Sequence, residues 1–159
     1  MKTAIIFASK HGTCAKVVQM LSEQIGLQNL SSFSLEEKGI IDISPYSQVV
    51  IGGSIHAGKI QSRISEFCKK NQTSLLTKKL GLFICCMYEG ETAISQLNNA
   101  FPDELLEHSS CSLIMGGEFL FEKMNFFERL MVKKVAGVYK SQSRISMANI
   151  MEMSRIMSE

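Results

Sequence analysis

Four unbroken apolar runs, separated by segments whose apolar residues recur at helical spacing, limit this chain more than any other feature. The runs are "TAIIFA" (3–8), "VVIGGSI" (49–55), "LGLFICCM" (80–87) and "CSLIMGG" (111–117). They lack the alternation of a half-exposed strand and suit strands buried on both faces. "LSSFSL" (30–35) is weaker and reads as an edge strand. Between the runs, Cys14, Val17, Val18, Leu21 and Ile25 mark a helix ending at Gly26, and Ile60, Ile64, Phe67 and Cys68 mark a second. Ile94, Leu97 and Phe101 mark a short helix stopped near Pro102, and helical spacing returns over 123–140 and 146–157. Strand and helix alternate with short links. The pattern predicts an α/β fold, a doubly wound five-stranded parallel sheet with helices on both faces.

Composition removes several classes of function. Hydrophobic residues make up 45% and charged residues 20%, which excludes a disordered chain, and no repeat or linker-like stretch divides the 159 residues. A formal charge of +2 gives no ground for nucleic-acid binding and counts against a strongly acidic electron carrier. No apolar run approaches the roughly 20 residues needed to cross a bilayer, and no signal peptide is recognisable. The five cysteines, Cys14, Cys68, Cys85, Cys86 and Cys111, show no metal-ligand spacing. They read as reduced, buried thiols, so the expected location is the cytoplasm. Cys85 and Cys86 are adjacent on a strand and therefore point to opposite faces, which disfavours a redox pair.

In a doubly wound sheet, ligands bind beyond the carboxyl ends of the strands. The loops there are 9–13, 54–62 and 87–92. "SKHGTC" (9–14) leads from a strand into a helix start, where backbone N–H groups and the positive helix end attract an anion. It lacks the Gly-Lys-Ser/Thr of a nucleotide P-loop and the GxGxxG of a dinucleotide fold. Carboxylates at strand ends, needed by a phosphoacceptor domain, are absent as well. Two readings remain: a cradle for a phosphate monoester, or a plain helix cap in which Ser9 or Thr13 satisfies free N–H groups. "GGSIHAGK" (52–59) has three glycines and no bulky residue before Ile60, so backbone there can approach a flat ligand. "MYEGE" (87–91) offers an aromatic, Tyr88, and a flexible Gly90. One loop for a phosphate and two beside a flat ring describe a mononucleotide-flavin site.

On these residues the chain resembles the flavodoxin superfamily. Its phosphate loop has the pattern S/T-x-T-G-x-T/S, which Ser9, Gly12 and Thr13 match in type, while His11 and Cys14 stand where hydroxyl residues are usual. The resemblance implies FMN as cofactor. It implies cofactor-binding roles for Ser9, Lys10, His11, Gly12, Thr13 and Cys14 at the phosphate, and for Ser54, Ile55, His56, Ala57 and Gly58 beside the ring. Met87, Tyr88, Glu89 and Gly90 would cover it, with Tyr88 stacking. The Ala57–Gly58 peptide would lie near flavin N5. The flavin carries the chemistry, so no catalytic side chain and no metal is expected. Weaker flavin affinity is expected from the two departures.

Within the superfamily the chain is similar to the flavodoxin-domain branch containing menaquinone-dependent protoporphyrinogen oxidase. "MKTAIIFASKHGT", "VVIGGSIHAGKIQSRISEFCKKN" (49–71) and "FFERLMVKK" (126–134) carry this likeness. It implies a single flavodoxin-like domain over 1–159 with a helical insertion around 119–145. It also implies an FMN-dependent oxidoreductase acting on a quinone or porphyrinogen, with a redox partner protein. Two alternatives stay open, a small electron-transfer flavodoxin and a flavodoxin-like binding module that has lost FMN.

The segment 123–140 itself has two readings. Lys123, Arg129, Lys133, Lys134 and Lys140 face only Glu128, while Phe126, Phe127, Leu130, Met131, Val135 and Val138 are apolar. It is either a basic amphipathic helix lying on the inner face of an anionic membrane or a core-packing helix with a solvated lysine face.

Overall fold

In the computed structural model, which describes residues 1–37, 39–119, 124–136 and 142–159, the expected sheet is present. Strands β1 (Thr3–Phe7), β2 (Leu30–Ser34), β3 (Gln48–His56), β5 (Lys79–Cys85) and β6 (Cys111–Ile114) pair in parallel in the order β2-β1-β3-β5-β6. β2 is the edge strand that "LSSFSL" predicts, and none of its residues is fully buried. The register shows why the site lies where it does. Phe7, the last residue of β1, pairs with Gly52, and Cys85, the last of β5, pairs with Ser54. β3 therefore overshoots both neighbours at the carboxyl edge of the sheet.

Two apolar layers cover the sheet. On one face, Ala4, Ile6, Val49, Ile51, Leu82 and Ile84 pack against α2 (Ser62–Leu75), α3 (Gly90–Ala100) and α4 (Asp103–His108). On the other, Ile5, Val50 and Phe83 pack against α1 (Thr13–Ile25) and α6 (Met147–Ser158). Alternate residues of one strand feed opposite layers, so both must be apolar. Burying each such side chain stabilises the fold by about 1.5–3 kcal/mol before entropy is counted. Cys85 and Cys86 divide between the two layers as their adjacency requires. All five cysteines are buried and unbridged. Burial pushes the Cys68 thiol up to about 12 and those of Cys86 and Cys111 up to about 11, so none is a ready nucleophile.

Three expectations need correction. Ile60 is not on α2. It lies in a short strand, β4 (Lys59–Ile60), that pairs antiparallel with the end of β3, Ile55 with Ile60 and His56 with Lys59. The loop expected over 54–62 is thus a hairpin, and Ser54, Ile55 and His56 are strand residues. The two turn residues explain it: Ala57 and Gly58 both have positive φ (49° and 78°), the combination a two-residue turn matching strand twist requires. The third concerns α3, which buries Ala93, Gln96, Leu97 and Ala100 and leaves Ile94 exposed a quarter-turn away.

After β6 the chain makes an excursion. It leaves through β7 (Glu118–Phe119), forms α5 (Phe126–Ala136) and returns through β8 (Gln142–Ser143), which pairs antiparallel with β7. The Arg144 N–H donates to the Gly117 carbonyl at 2.8 Å and the Ser146 N–H to the Met115 carbonyl at 2.8 Å, so exit and re-entry adjoin. Ser146 then caps α6 by accepting from the Asn149 N–H at 3.3 Å. Lys123, Val138 and Lys140, counted in the expected helix, lie outside the described residues. No helix among the described residues is long and apolar enough to cross a membrane.

Candidate functional site

The loop after β1 is organised by Ser9. Its hydroxyl accepts from the Gly12 N–H at 3.2 Å and from the Ala15 N–H at 3.3 Å. Gly12, the residue at the start of α1, has φ 89°, a left-handed conformation that turns the loop into the helix. The N–H groups of Thr13 and Cys14, in the first turn of α1, have no intrahelical acceptor by construction of a helix end. The sequence leaves a cradle and a cap as alternatives; the structure has Ser9 capping part of the turn while the two amides beyond Gly12 stay at the positive helix end.

Two carboxylates from elsewhere reach this loop. Glu36, past the end of β2, accepts from the Ser9 N–H at 3.3 Å and from the Ser34 hydroxyl at 2.9 Å. Glu128, in the first turn of α5, pairs with Lys10 Nζ at 3.1 Å and with His11 Nε2. Partial burial alone would raise the Glu128 carboxyl, but hydrogen bonds from Lys10 and His11, and their charge, outweigh it and hold it below the usual carboxylate range. Asn125 Oδ1 accepts the Glu128 N–H at 2.8 Å and so fixes where α5 begins.

The overshoot of β3 carries His56 over the loop. The rings of His56 and His11 meet edge to face with centroids 5.9 Å apart, joining loop 9–14 to the β3–β4 hairpin. His56 Nε2 is buried without a hydrogen-bond partner among the described residues. Burial lowers the His56 pKa, the neighbouring His11 and Lys10 lower it further, and Glu128 opposes them in part, a balance that favours the neutral ring.

The glycines of "GGSIHAG" divide in their roles. A Cβ at Gly52 would lie 2.0 Å from the Phe83 ring, and one at Gly53 would lie 2.9 Å from Ile64 and 3.0 Å from the Gln61 amide oxygen. These two are packing glycines, one on each face of the sheet, and not the ligand approach expected of them. Gly58 has open space where its Cβ would be, as an exposed turn facing a ligand would. Gln61 Oε1 accepts the Ser54 N–H at 2.9 Å, tying the hairpin to the start of α2. A groove of about 590 Å³ runs outside the hairpin, between Gly58–Ile60 and Ser65, Lys69 and Asn99. A second, of about 360 Å³, lies at the opposite end of the sheet, far from these loops.

The third loop follows β5. Cys86 donates its N–H to the Gly116 carbonyl at 2.9 Å, Met87 borders Gly117, and Glu89 pairs with Arg144 at 3.7 Å. Tyr88 is exposed, and Gly90 is the first residue of α3. Cys14 is fully buried against Cys85, which leaves only its backbone N–H for a ligand. Among the described residues no group of His, Cys, Asp and Glu could hold a metal ion. Glu36, Gln61 and Glu128 are the residues that sequence reasoning did not place here. Glu128 did carry a signal, as the lone acid opening a basic segment.

Residues 4–152 match the family model described as a flavodoxin domain. The chain belongs to the flavodoxin-domain family. Among solved structures, its fold is similar to that of a flavodoxin, WrbA-like protein from Agrobacterium tumefaciens, at 12% identity over 99% of this chain and 92% of that one, with a TM-score of 0.55. It is similar to a putative flavoprotein from Bacteroides eggerthii at 15% identity over 85% and 98%, TM-score 0.53. It is also similar to the two-electron reduced flavodoxin of Megasphaera elsdenii at 15% identity over 70% and 84%, TM-score 0.53. At these identities the likeness is one of fold. No curated protein matches the sequence.

Proposed function

We propose that this flavodoxin domain binds one FMN non-covalently and works as an oxidoreductase on a quinone or porphyrinogen at the cytoplasmic face of a membrane. The observation that carries the FMN reading is the state of loop 9–14. Its donors from outside the helix, the Ser9 N–H, Lys10 and His11, are each held by a carboxylate from another element. Those carboxylates mark positions where the loop seeks negative charge, as a phosphate site must. Ser9, Gly12 and Thr13, with the Cys14 N–H, would hold the phosphate. Ser54 to Gly58 would border the ring and Met87 to Gly90 would cover it, Tyr88 offering the aromatic face. Bound there, the flavin would supply the electron chemistry, and protein would orient it and exclude water. His56, whose Nε2 has no partner among the described residues, is available for a hydrogen bond at this site.

The quinone or porphyrinogen reading draws on α5. Phe126, Phe127, Leu130 and Met131 are 72%, 77%, 51% and 56% exposed, while Glu128, Arg129 and Val132 are half-buried. This orientation favours the surface reading of the segment over the core-packing one. An apolar outer face beside Lys133 and Lys134 suits an anionic lipid surface, where apolar redox substrates reside.

Titrating the purified protein with FMN and following flavin fluorescence tests the cofactor. Quenching at one equivalent is expected, and a colourless protein indifferent to about 50 µM FMN would sink the reading. The loaded protein is then expected to oxidise protoporphyrinogen with a menaquinone analogue. Reduction by a flavoprotein reductase without quinone turnover would mark it as an electron carrier instead.

A further inference from the structure

We propose that Glu128 is a resident competitor for the phosphate loop and sets how strongly the domain prefers a phosphorylated flavin to an unphosphorylated one; this rests on the FMN reading above. His11 Nε2 carries a single proton, and that proton is committed to Glu128. It cannot be given to a phosphate at the same time. Lys10 Nζ has three protons but directs its charge at the same carboxylate, 3.1 Å away. A dianionic phosphate arriving at Gly12–Cys14 would add two negative charges close to a third, in a setting only partly screened by water. Glu128 must therefore swing away, or the phosphate binds against its repulsion.

The anchoring of Glu128 permits that movement. Its backbone is fixed by Asn125, and its half-buried side chain is held, among the described residues, by the two cations. Riboflavin, which has no phosphate, makes no demand on His11 or Lys10 and is indifferent to the carboxylate. The competition thus acts on the phosphate alone, which makes Glu128 a determinant of specificity and not of ring binding.

The test compares FMN and riboflavin affinities, by fluorescence quenching, for the natural protein and Glu128→Gln. Glutamine keeps the shape and removes the charge. FMN binding is expected to tighten about tenfold in the variant while riboflavin binding stays the same. Unchanged or weaker FMN binding would overturn the proposal, as would equal tightening of both flavins. If neither flavin binds either protein, the FMN reading fails and inorganic phosphate decides the inference, followed through the amide resonances of Gly12 and Thr13. Tighter phosphate binding by the variant supports resident competition, and equal or weaker binding overturns it. A thermal melt confirms that both proteins are folded.

Discussion

Phe83 lies flat against Gly52. The two are paired across β3 and β5, and the ring fills the space a Cβ on Gly52 would take, 2.0 Å from its nearest atom. Both are fully enclosed, so neither side can give.

Gly52→Ala should therefore destabilise the domain by about 3 kcal/mol, at the upper end for overpacking. Phe83→Leu in the same background should recover part of that loss by vacating the ring's place. Urea unfolding of both single variants and the double variant checks this, and strict additivity would contradict the contact.

The hairpin turn predicts effects of opposite sign at adjacent positions. Ala57 holds φ 49°, costly for a residue with a Cβ, so Ala57→Gly should stabilise by about 0.5–1 kcal/mol. Gly58→Ala should destabilise by about 1 kcal/mol although no atom would meet the new methyl. Paired melting curves would show it.

Acid should loosen the domain through His56. Its pKa is lowered in the folded state, so the unfolded chain binds the proton more readily. Stability contributed by the neutral ring is present above about pH 6.5 and is lost as pH falls below that value toward the folded pKa. Denaturant midpoints at pH 5.5 and 7.5 should differ more for the natural protein than for His56→Gln. Equal differences would remove His56 as the cause.

For α5, Phe126→Ser with Phe127→Ser should reduce binding to vesicles rich in anionic lipid about tenfold or more, given the apolar area withdrawn. Folding should be unaffected, because neither ring is in the core. Sedimentation with vesicles gives the measurement, and undiminished binding would remove the membrane contact.

What was legible in the sequence follows from what is local. β1, β3 and β5 could be read because strands buried on both faces must be apolar at every position. The hairpin could not, because Ala-Gly is a weak turn signal beside Asn-Gly, and Ile60 stands four residues before Ile64, the spacing of a helix. Gly52 and Gly53 were visible as glycines, but their reasons, Phe83 and Ile64, lie on other elements. The facing of α5 was illegible for the same reason: its inner contact, Glu128 with His11, spans 117 residues. An amphipathic pattern states that a helix has two sides and not which of them a distant histidine will claim. At the site, the small residues at three strand ends were apparent, and the carboxylates that meet them were not.

Among the described residues, the excursion from Glu118 to Ser143 contributes none to either apolar layer. Ion pairs of Lys10, His11 and Lys16 with Glu128 and Glu118 join it to loop 9–14 and α1. Contacts of that kind weaken as ionic strength rises, whereas burial of apolar surface does not. The two parts of this molecule are thus held by forces with different responses to salt. Concentrated electrolyte should release α5 from loop 9–14 while leaving the sheet intact.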